Sequence, residues 1–158
     1  MNFDPTEILY LTAEAWGGTF PHQWTPSDKG KAIDWFIKNI FGGAGKQYDP
    51  YDLKLQIDSC SFHEIKSGTR KWIGLSPNEK EHAEAELAKG NDTLIWYFEQ
   101  LEERDEFRFF AIARFSRIQN FFFPSNYDTS MVKRGEQWVQ ENTPSINKYT
   151  LRDHGEVV

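Results

Sequence analysis

Residues 52–66, with the sequence DLKLQIDSCSFHEIK, decide the fold of this 158-residue chain. Polar and apolar residues alternate in 52–57, and the alternation returns in 60–66 after the turn-forming residues Asp58 and Ser59. Successive side chains of a strand point to opposite faces. Two alternating runs joined by a short turn therefore predict an antiparallel hairpin.

The apolar residues assign the two faces of this hairpin. Leu53 and Ile65 belong on the buried face, so the side chains of Asp52, Glu64 and Lys66 point the other way. A three-residue loop sets Asp52 opposite Glu64 or Lys66, roughly 4.5–8 Å away. A two-residue loop sets Asp52 opposite Ile65 instead, and the apolar residues of the first strand then lie on the opposite face from those of the second strand. Burial of a single face favours the three-residue loop.

One Asp, one Glu and one Lys on the same face have a defined chemistry. Two neighbouring carboxylates repel each other, and one pKa rises unless a cation lies between them. Oxygen ligands suit Mg²⁺ or Mn²⁺. A lysine two residues from a ligand orients or deprotonates a water, or stabilises charge on a phosphate. Asp52, Glu64 and Lys66 thus supply the parts needed for phosphodiester hydrolysis.

The rest of the chain predicts helices and strands around the hairpin. Ser76, Pro77 and Glu79 form a capping-box pattern at the start of one helix. The other elements follow from periodicity and from glycine and proline positions. In order they are helices over 4–16, 26–41 and 77–89, a strand over 93–99, one or two strands over 106–118, a weaker helix over 129–141 and an irregular tail from 142. This order predicts a single α/β or α+β domain over 1–158, built around a mixed sheet.

The hairpin resembles the PD-(D/E)XK nuclease superfamily through Asp49-Pro50-Tyr51-Asp52 and the E-x-K run 64–66. The resemblance implies a restriction-endonuclease-like αβββαβ core over about 26–118, with 119–158 as a C-terminal extension. Asp49 precedes Pro50, in the order DP rather than PD. Asp52 has the better strand parity and spacing to Glu64, and we prefer it.

The same resemblance implies the roles of the site residues. Asp52, Glu64 and the backbone carbonyl of Ile65 would bind the metal ion, and Lys66 would be the catalytic lysine. Asp34, on the preceding helix where the family usually has Glu, would be a further catalytic acid. The implied cofactor is Mg²⁺, which Mn²⁺ can replace.

The implied activity is that of a small DNA endonuclease or exonuclease, with RNA as the alternative nucleic acid. By analogy with the family, such a small domain is expected to act as a homodimer in which each subunit cuts one strand. A different reading is an inactive member of the fold, or an acidic binding or inhibitory protein that acts on a protein partner. In that reading Asp52, Glu64 and Lys66 form a solvated face with cross-strand ion pairs.

Composition limits these alternatives. The net charge of −6 and pI near 5.2 argue against whole-surface binding of nucleic acid, so phosphates require a local basic strip. Six basic residues form the best candidate strip, namely Arg104, Arg108, Arg114, Arg117, Lys133 and Arg134. Arg70 and Lys71, just after the motif, are a second candidate for phosphate contacts. Cys60 is the only cysteine, which excludes an internal disulfide. With no long apolar run and no basic leader, the chain is expected to be cytoplasmic, without a membrane partner.

Two further residues near the motif have simpler explanations. His63 adjoins Glu64 in sequence but points to the other face of the strand, where a structural role is expected. Glu79 is expected to act as the capping-box carboxylate.

Overall fold

The computed structural model describes residues 51–57, 60–101 and 106–155. The helices predicted over 4–16 and 26–41, and Asp34 within the second of them, lie outside these residues. The described elements are β1 (Leu53–Ile57), β2 (Cys60–Gly68), β3 (Trp72–Gly74), α1 (Pro77–Ala88), β4 (Asp92–Leu101), β5 (Glu106–Arg114), α2 (Phe115–Ile118), a 3₁₀ turn (Gln119–Phe121), β6 (Phe123–Arg134), β7 (Gln137–Asn147) and α3 (Lys148–Asp153).

The mixed α+β class agrees with the sequence prediction, but the strands form two sheets rather than the single mixed sheet that we expected, because β3 pairs with β7. The first sheet has the strand order β1-β2-β4-β5, and the second has the order β3-β7-β6. Strands β2 and β4 are parallel, whereas β1–β2 and β4–β5 are antiparallel. The segment with β3 and α1 makes the crossover that two parallel strands require.

Helix α1 begins where the sequence predicted. The Ser76 hydroxyl accepts a hydrogen bond from the Glu79 amide (3.2 Å), and the Glu79 carboxylate accepts one from the Ser76 amide (2.8 Å). This reciprocal capping box satisfies two amides that the first helical turn leaves without partners. The helix ends at Ala88, before Gly90 with its φ of +89°.

The helix predicted over 129–141 is wrong, because this segment forms the β6–β7 hairpin. Arg134 pairs with Gln137, so Gly135 and Glu136 make a two-residue turn. Gly135 has a φ of +65°, a left-handed value that such hairpin turns require and that glycine adopts without steric cost. The tail from Asn142 is likewise ordered, since β7 continues to Asn147 and helix α3 follows.

The strand predicted over 106–118 ends at Arg114, where the chain turns into α2. Asp92 explains this turn: one of its carboxylate oxygens accepts from the Ser116 amide (3.1 Å), and the other from the Ser116 hydroxyl (2.5 Å). The Asp92 carboxylate thus takes the Ser116 amide as a donor, and this amide is then not available to extend the strand ladder beyond Arg114.

The hydrophobic core joins both sheets and the helices. It contains Ile95 and Tyr97 of β4 together with residues beyond 118, such as Phe122, Ile146 and Leu151. Burial of such side chains contributes about 1.5–3 kcal/mol each. No helix among the described residues is long and apolar enough to span a bilayer.

Candidate functional site

Strand pairing brings Asp52 beside the E-x-K run by a route that differs from the prediction. Ile57 pairs with Cys60, which leaves a two-residue connection rather than the three-residue loop that we expected. A bulge between Lys54 and Ile57 then shifts the register, so that Leu53 pairs with His63. One extra residue in a strand moves every later pair by one position. Beyond the bulge, at the end of the hairpin away from the turn, the strands therefore have the register that burial of a single face predicted.

Asp52 is anchored to the backbone of the neighbouring strand. Its Oδ2 accepts a hydrogen bond from the Ile65 amide (2.8 Å), and its own amide donates to the His63 carbonyl (3.0 Å). Its charge contributes to the pKa shifts of both Glu64 and Lys66. The structure therefore brings together Asp52, Glu64 and Lys66, as strand parity predicted.

Glu64 is a buried carboxylate with few hydrogen-bond donors or cations nearby to offset its burial. The residue is 2% exposed, and neither Oε1 nor Oε2 accepts a hydrogen bond from an N–H or O–H donor within the described part of the chain. A protonated Glu64 could still donate to the neighbouring Glu79 carboxylate, and this contact raises the pKa of Glu64 and lowers that of Glu79. The Lys66 ammonium is 3.9 Å from Oε2. Burial raises the pKa of Glu64 well above its usual value, and the nearby charge of Glu79 raises it further, whereas Lys66 opposes the rise. A lone buried carboxylate favours either a proton or a cation.

Lys66 and Glu79 form the strongest ion pair of the site. The Lys66 ammonium donates to both Glu79 oxygens at 3.1 Å, and the two side chains are only 25% and 20% exposed. Burial lowers the pKa of Lys66, but the charges of Glu79 and Glu64 outweigh it, and the net shift is upward. Burial raises the pKa of Glu79, but Lys66 and hydrogen bonds lower it to about 2. Lys66 is consequently charged at neutral pH.

Sequence reasoning missed this second role of Glu79. The capping-box pattern correctly predicted its contact with Ser76, and that contact fixes its carboxylate at the first turn of α1. The pairing with Lys66 depends on how α1 lies against β2. A clue was available, because an E-x-K strand followed by a capped helix sets the capping acid near the end of that strand.

The opposite face of β2 is structural, as expected. His63 is fully buried, and its Nδ1 accepts a hydrogen bond from the indole Nε1 of Trp96 (3.1 Å). Ile65 is also buried. These contacts confirm that His63 does not share a face with Glu64.

Asp52 and Glu64 offer carboxylate oxygens, the kind of ligand that Mg²⁺ and Mn²⁺ prefer. Three carboxylates (Asp52, Glu64 and Glu79) adjoin one ammonium (Lys66), and the Glu64 oxygens lack hydrogen-bond donors. No group of three His, Cys, Asp or Glu side chains in the described residues converges as a metal site. Asp52 and Glu64 would therefore need backbone, substrate or water oxygens as additional ligands, which Mg²⁺ accepts readily.

The chain was compared with protein-family models, with curated proteins and with solved structures, and no match was found in any of the three.

Proposed function

We propose that this protein hydrolyses phosphodiester bonds of nucleic acid, with DNA as the proposed substrate, in a metal-dependent reaction at Asp52, Glu64 and Lys66. The observation that carries the proposal is the buried Glu64 carboxylate, whose oxygens lack hydrogen-bond donors although Asp52 and Lys66 adjoin it. A carboxylate in this state is destabilising unless a proton or cation compensates it. A strongly perturbed buried carboxylate of this kind is more typical of a functional site than of a structural scaffold.

The proposal includes a restriction-endonuclease-like core. Asp52 directly before β1, E-x-K on β2, the crossover helix α1 and the parallel strand β4 support it. The short strand β3 departs from a simple core, because it pairs with β7 in the second sheet. A homodimer that cuts one strand with each subunit, and a cytoplasmic location, belong to the same proposal.

Each side chain has a distinct task in this reaction. Asp52 and Glu64, with the Ile65 carbonyl, would hold Mg²⁺ or Mn²⁺. The metal ion would supply Lewis acidity and lower the pKa of a water. Lys66 keeps its proton at neutral pH, so it would stabilise phosphate charge and orient the water rather than act as a base. The Glu79 carboxylate holds the Lys66 ammonium in place.

A non-catalytic binding protein is the second candidate, and the Lys66–Glu79 pair favours it. Both ammonium contacts at 3.1 Å go to Glu79, which is what a purely structural ion pair would show. This candidate predicts no tight divalent-metal site. Calorimetric titration with Mn²⁺ separates the two: the hydrolase should bind the ion, and Asp52→Asn should abolish binding.

Plasmid nicking tests the hydrolase directly. The purified chain is incubated with supercoiled plasmid and Mg²⁺ or Mn²⁺, beside Lys66→Ala and Glu64→Gln. The matched control is Lys80→Ala, which removes a lysine of α1 that pairs with Glu84. Nicking by the wild type and the control, with loss in both site variants, supports the proposal. Equal nicking by all four proteins, or no cleavage of plasmid, single-stranded DNA or RNA with either metal, would overturn it.

A further inference from the structure

A cleft opens beside Lys66, at the carboxyl ends of the parallel strands β2 and β4. Its volume is about 310 Å³, and its lining includes Lys66, Gly68, Arg70, Trp72, Tyr97 and Asp128. Crevices at the carboxyl ends of parallel strands are the usual ligand sites of sheets with crossover helices. The cleft is therefore placed to hold the part of a substrate next to the proposed reaction centre.

Trp72 gives the cleft an aromatic wall. It is 52% exposed, whereas the next residue of β3, Ile73, is 4% exposed and belongs to the core. Strand alternation thus turns the indole outward while its neighbour anchors the strand. Pairing of Trp72 with Asn147 and Ile73 with Ile146 fixes β3 against β7. An indole held on a rigid strand is suited to stacking with a base.

Arg70 gives the cleft a cation. Its side chain is 76% exposed and lies 3.2 Å from Asp128, which is 43% exposed. An ion pair this exposed contributes little, about 0–1 kcal/mol, so a phosphate can replace Asp128 at the guanidinium. The Tyr97 hydroxyl lies 3.1 Å from the carbonyl oxygens of both Gly68 and Arg70 and donates to them. This contact fixes the backbone that carries Arg70.

We propose that the cleft binds single-stranded nucleic acid, with one base stacked on Trp72 and a phosphate on Arg70. The proposal rests on the proposed function, since it names the substrate of the same site. A duplex offers no free base face, because neighbouring bases cover it. The cleft volume lies at the small end of ligand pockets, about 300–1,000 Å³, which suits one nucleotide unit at a strand end or in an unpaired stretch.

Fluorescence anisotropy tests this binding apart from cleavage. Labelled oligothymidylate, oligouridylate and a duplex are titrated with the full chain in EDTA at low salt, where metal-dependent cleavage is absent. Trp72→Ala is compared with Trp138→Ala, a tryptophan of similar exposure (48%) outside the cleft. The Trp72 variant should bind single strands about fivefold to 150-fold more weakly, and the Trp138 variant like the wild type.

Two further variants test whether Arg70 binds a phosphate of the single strand. Arg70→Ala should reduce the slope of log affinity against log salt by about 0.7, the value expected for one phosphate contact on a single strand. Asp128→Asn should strengthen binding, because it removes the competing carboxylate. Tighter binding of oligouridylate or of oligothymidylate identifies RNA or DNA as the source of the strand, and either result supports the cleft.

The outcomes separate this proposal from the proposed function. Preference for duplex, or equal affinities of the Trp72 and Trp138 variants, overturns the cleft assignment whether or not the protein nicks plasmid. Trp72-dependent binding, with no cleavage of the single strands or of plasmid under Mg²⁺ or Mn²⁺, supports the cleft and overturns the hydrolase.

Discussion

Glu64 makes the stability of this protein depend on pH in an unusual direction. Its pKa in the folded state is raised, mainly by burial, so the folded protein holds this proton more tightly than the unfolded chain does. The stabilising contribution is complete below the unfolded pKa of about 4.3 and is lost as pH rises through the folded pKa. Above the unfolded pKa, Glu64 therefore destabilises the fold, because the folded state must either keep a proton that the unfolded chain has lost or bury a charge.

Glu64→Gln should accordingly stabilise the protein at pH 8 in EDTA, by about 1–3 kcal/mol, the usual cost of a buried group without partners. The gain should vanish near pH 4. Urea unfolding at both pH values measures it, and Glu84→Gln on the exposed part of α1 should change stability by less than about 0.5 kcal/mol. Mg²⁺ should stabilise the wild type more than Glu64→Gln. A variant less stable than the wild type at pH 8 would contradict this account.

Lys66 should have the opposite effect on stability, because it offsets three carboxylates. Lys66→Ala leaves Glu64 and Glu79 without their cation. Loss of one partner from a fully buried pair costs about 3–5 kcal/mol. Because Lys66 is one-quarter exposed, we expect a loss of about 2 kcal/mol in the free energy of unfolding. Lys80→Ala, which breaks the exposed pair with Glu84, should cost about 0.3–0.5 kcal/mol. Equal losses in urea unfolding would refute the special role of Lys66.

At the scale of elements, the capping box of α1 should stabilise the helix without controlling metal binding at the site. Ser76→Ala removes the hydroxyl that accepts a hydrogen bond from the Glu79 amide. The backbone amide of residue 76 remains, and it can still donate to the Glu79 carboxylate. We expect a loss of about 1 kcal/mol in stability and unchanged Mn²⁺ affinity. Ser76→Thr retains a capping hydroxyl and should restore most of the loss. Calorimetry and denaturant unfolding measure the two quantities, and reduced Mn²⁺ affinity in Ser76→Ala alone would show that the cap positions the site.

The hairpin shows how far side-chain alternation predicts a site. Alternation specifies which residues share a face, so Asp52, Glu64 and Lys66 could be placed together from sequence. Alternation gives the final pairing register of the two strands, but it does not show how many residues belong to the turn and how many to a bulge. A two-residue connection with one bulged residue gives the same final register as a three-residue loop, and nothing in residues 52–66 separates them. The bulge depends on packing against the rest of the sheet.

Other elements could be predicted only where residues close together in the sequence determine the local structure. The cap at Ser76 is local, and the helix it begins was predicted within one residue of its end. The 129–141 segment is rich in good helix formers, yet Gly135 at a hairpin turn and pairing with β7 override that preference. The end of β5 depends on Asp92, which is 24 residues from Ser116. Such distant contacts leave no periodic signature.

At the scale of the whole molecule, the negative net charge restricts where nucleic acid can bind, and the hydrophobic core fixes the strands that form this region. A chain with a net charge of −6 repels nucleic acid over most of its surface, so phosphates should bind only where cations such as Lys66 and Arg70 are concentrated. The strands that present these residues are held by a core that reaches the end of the described chain, because Leu151 of α3 is fully buried within it.

Leu151→Ala tests whether the C-terminal helix belongs to the same cooperative unit as the site. A buried Leu→Ala change costs about 2–5 kcal/mol, since it removes apolar contacts and leaves a cavity. If α3 folds with the sheets, urea unfolding should stay a single transition with an unchanged m-value and a lower midpoint. Met131→Ala, at a side chain that is 59% exposed, should shift the midpoint little. Mn²⁺ affinity under strongly folding conditions should match the wild type, because Leu151 packs in the hydrophobic core and supplies no ligand to the proposed metal site. A second transition confined to Leu151→Ala would instead mean that α3 unfolds independently and that the site needs only the two sheets.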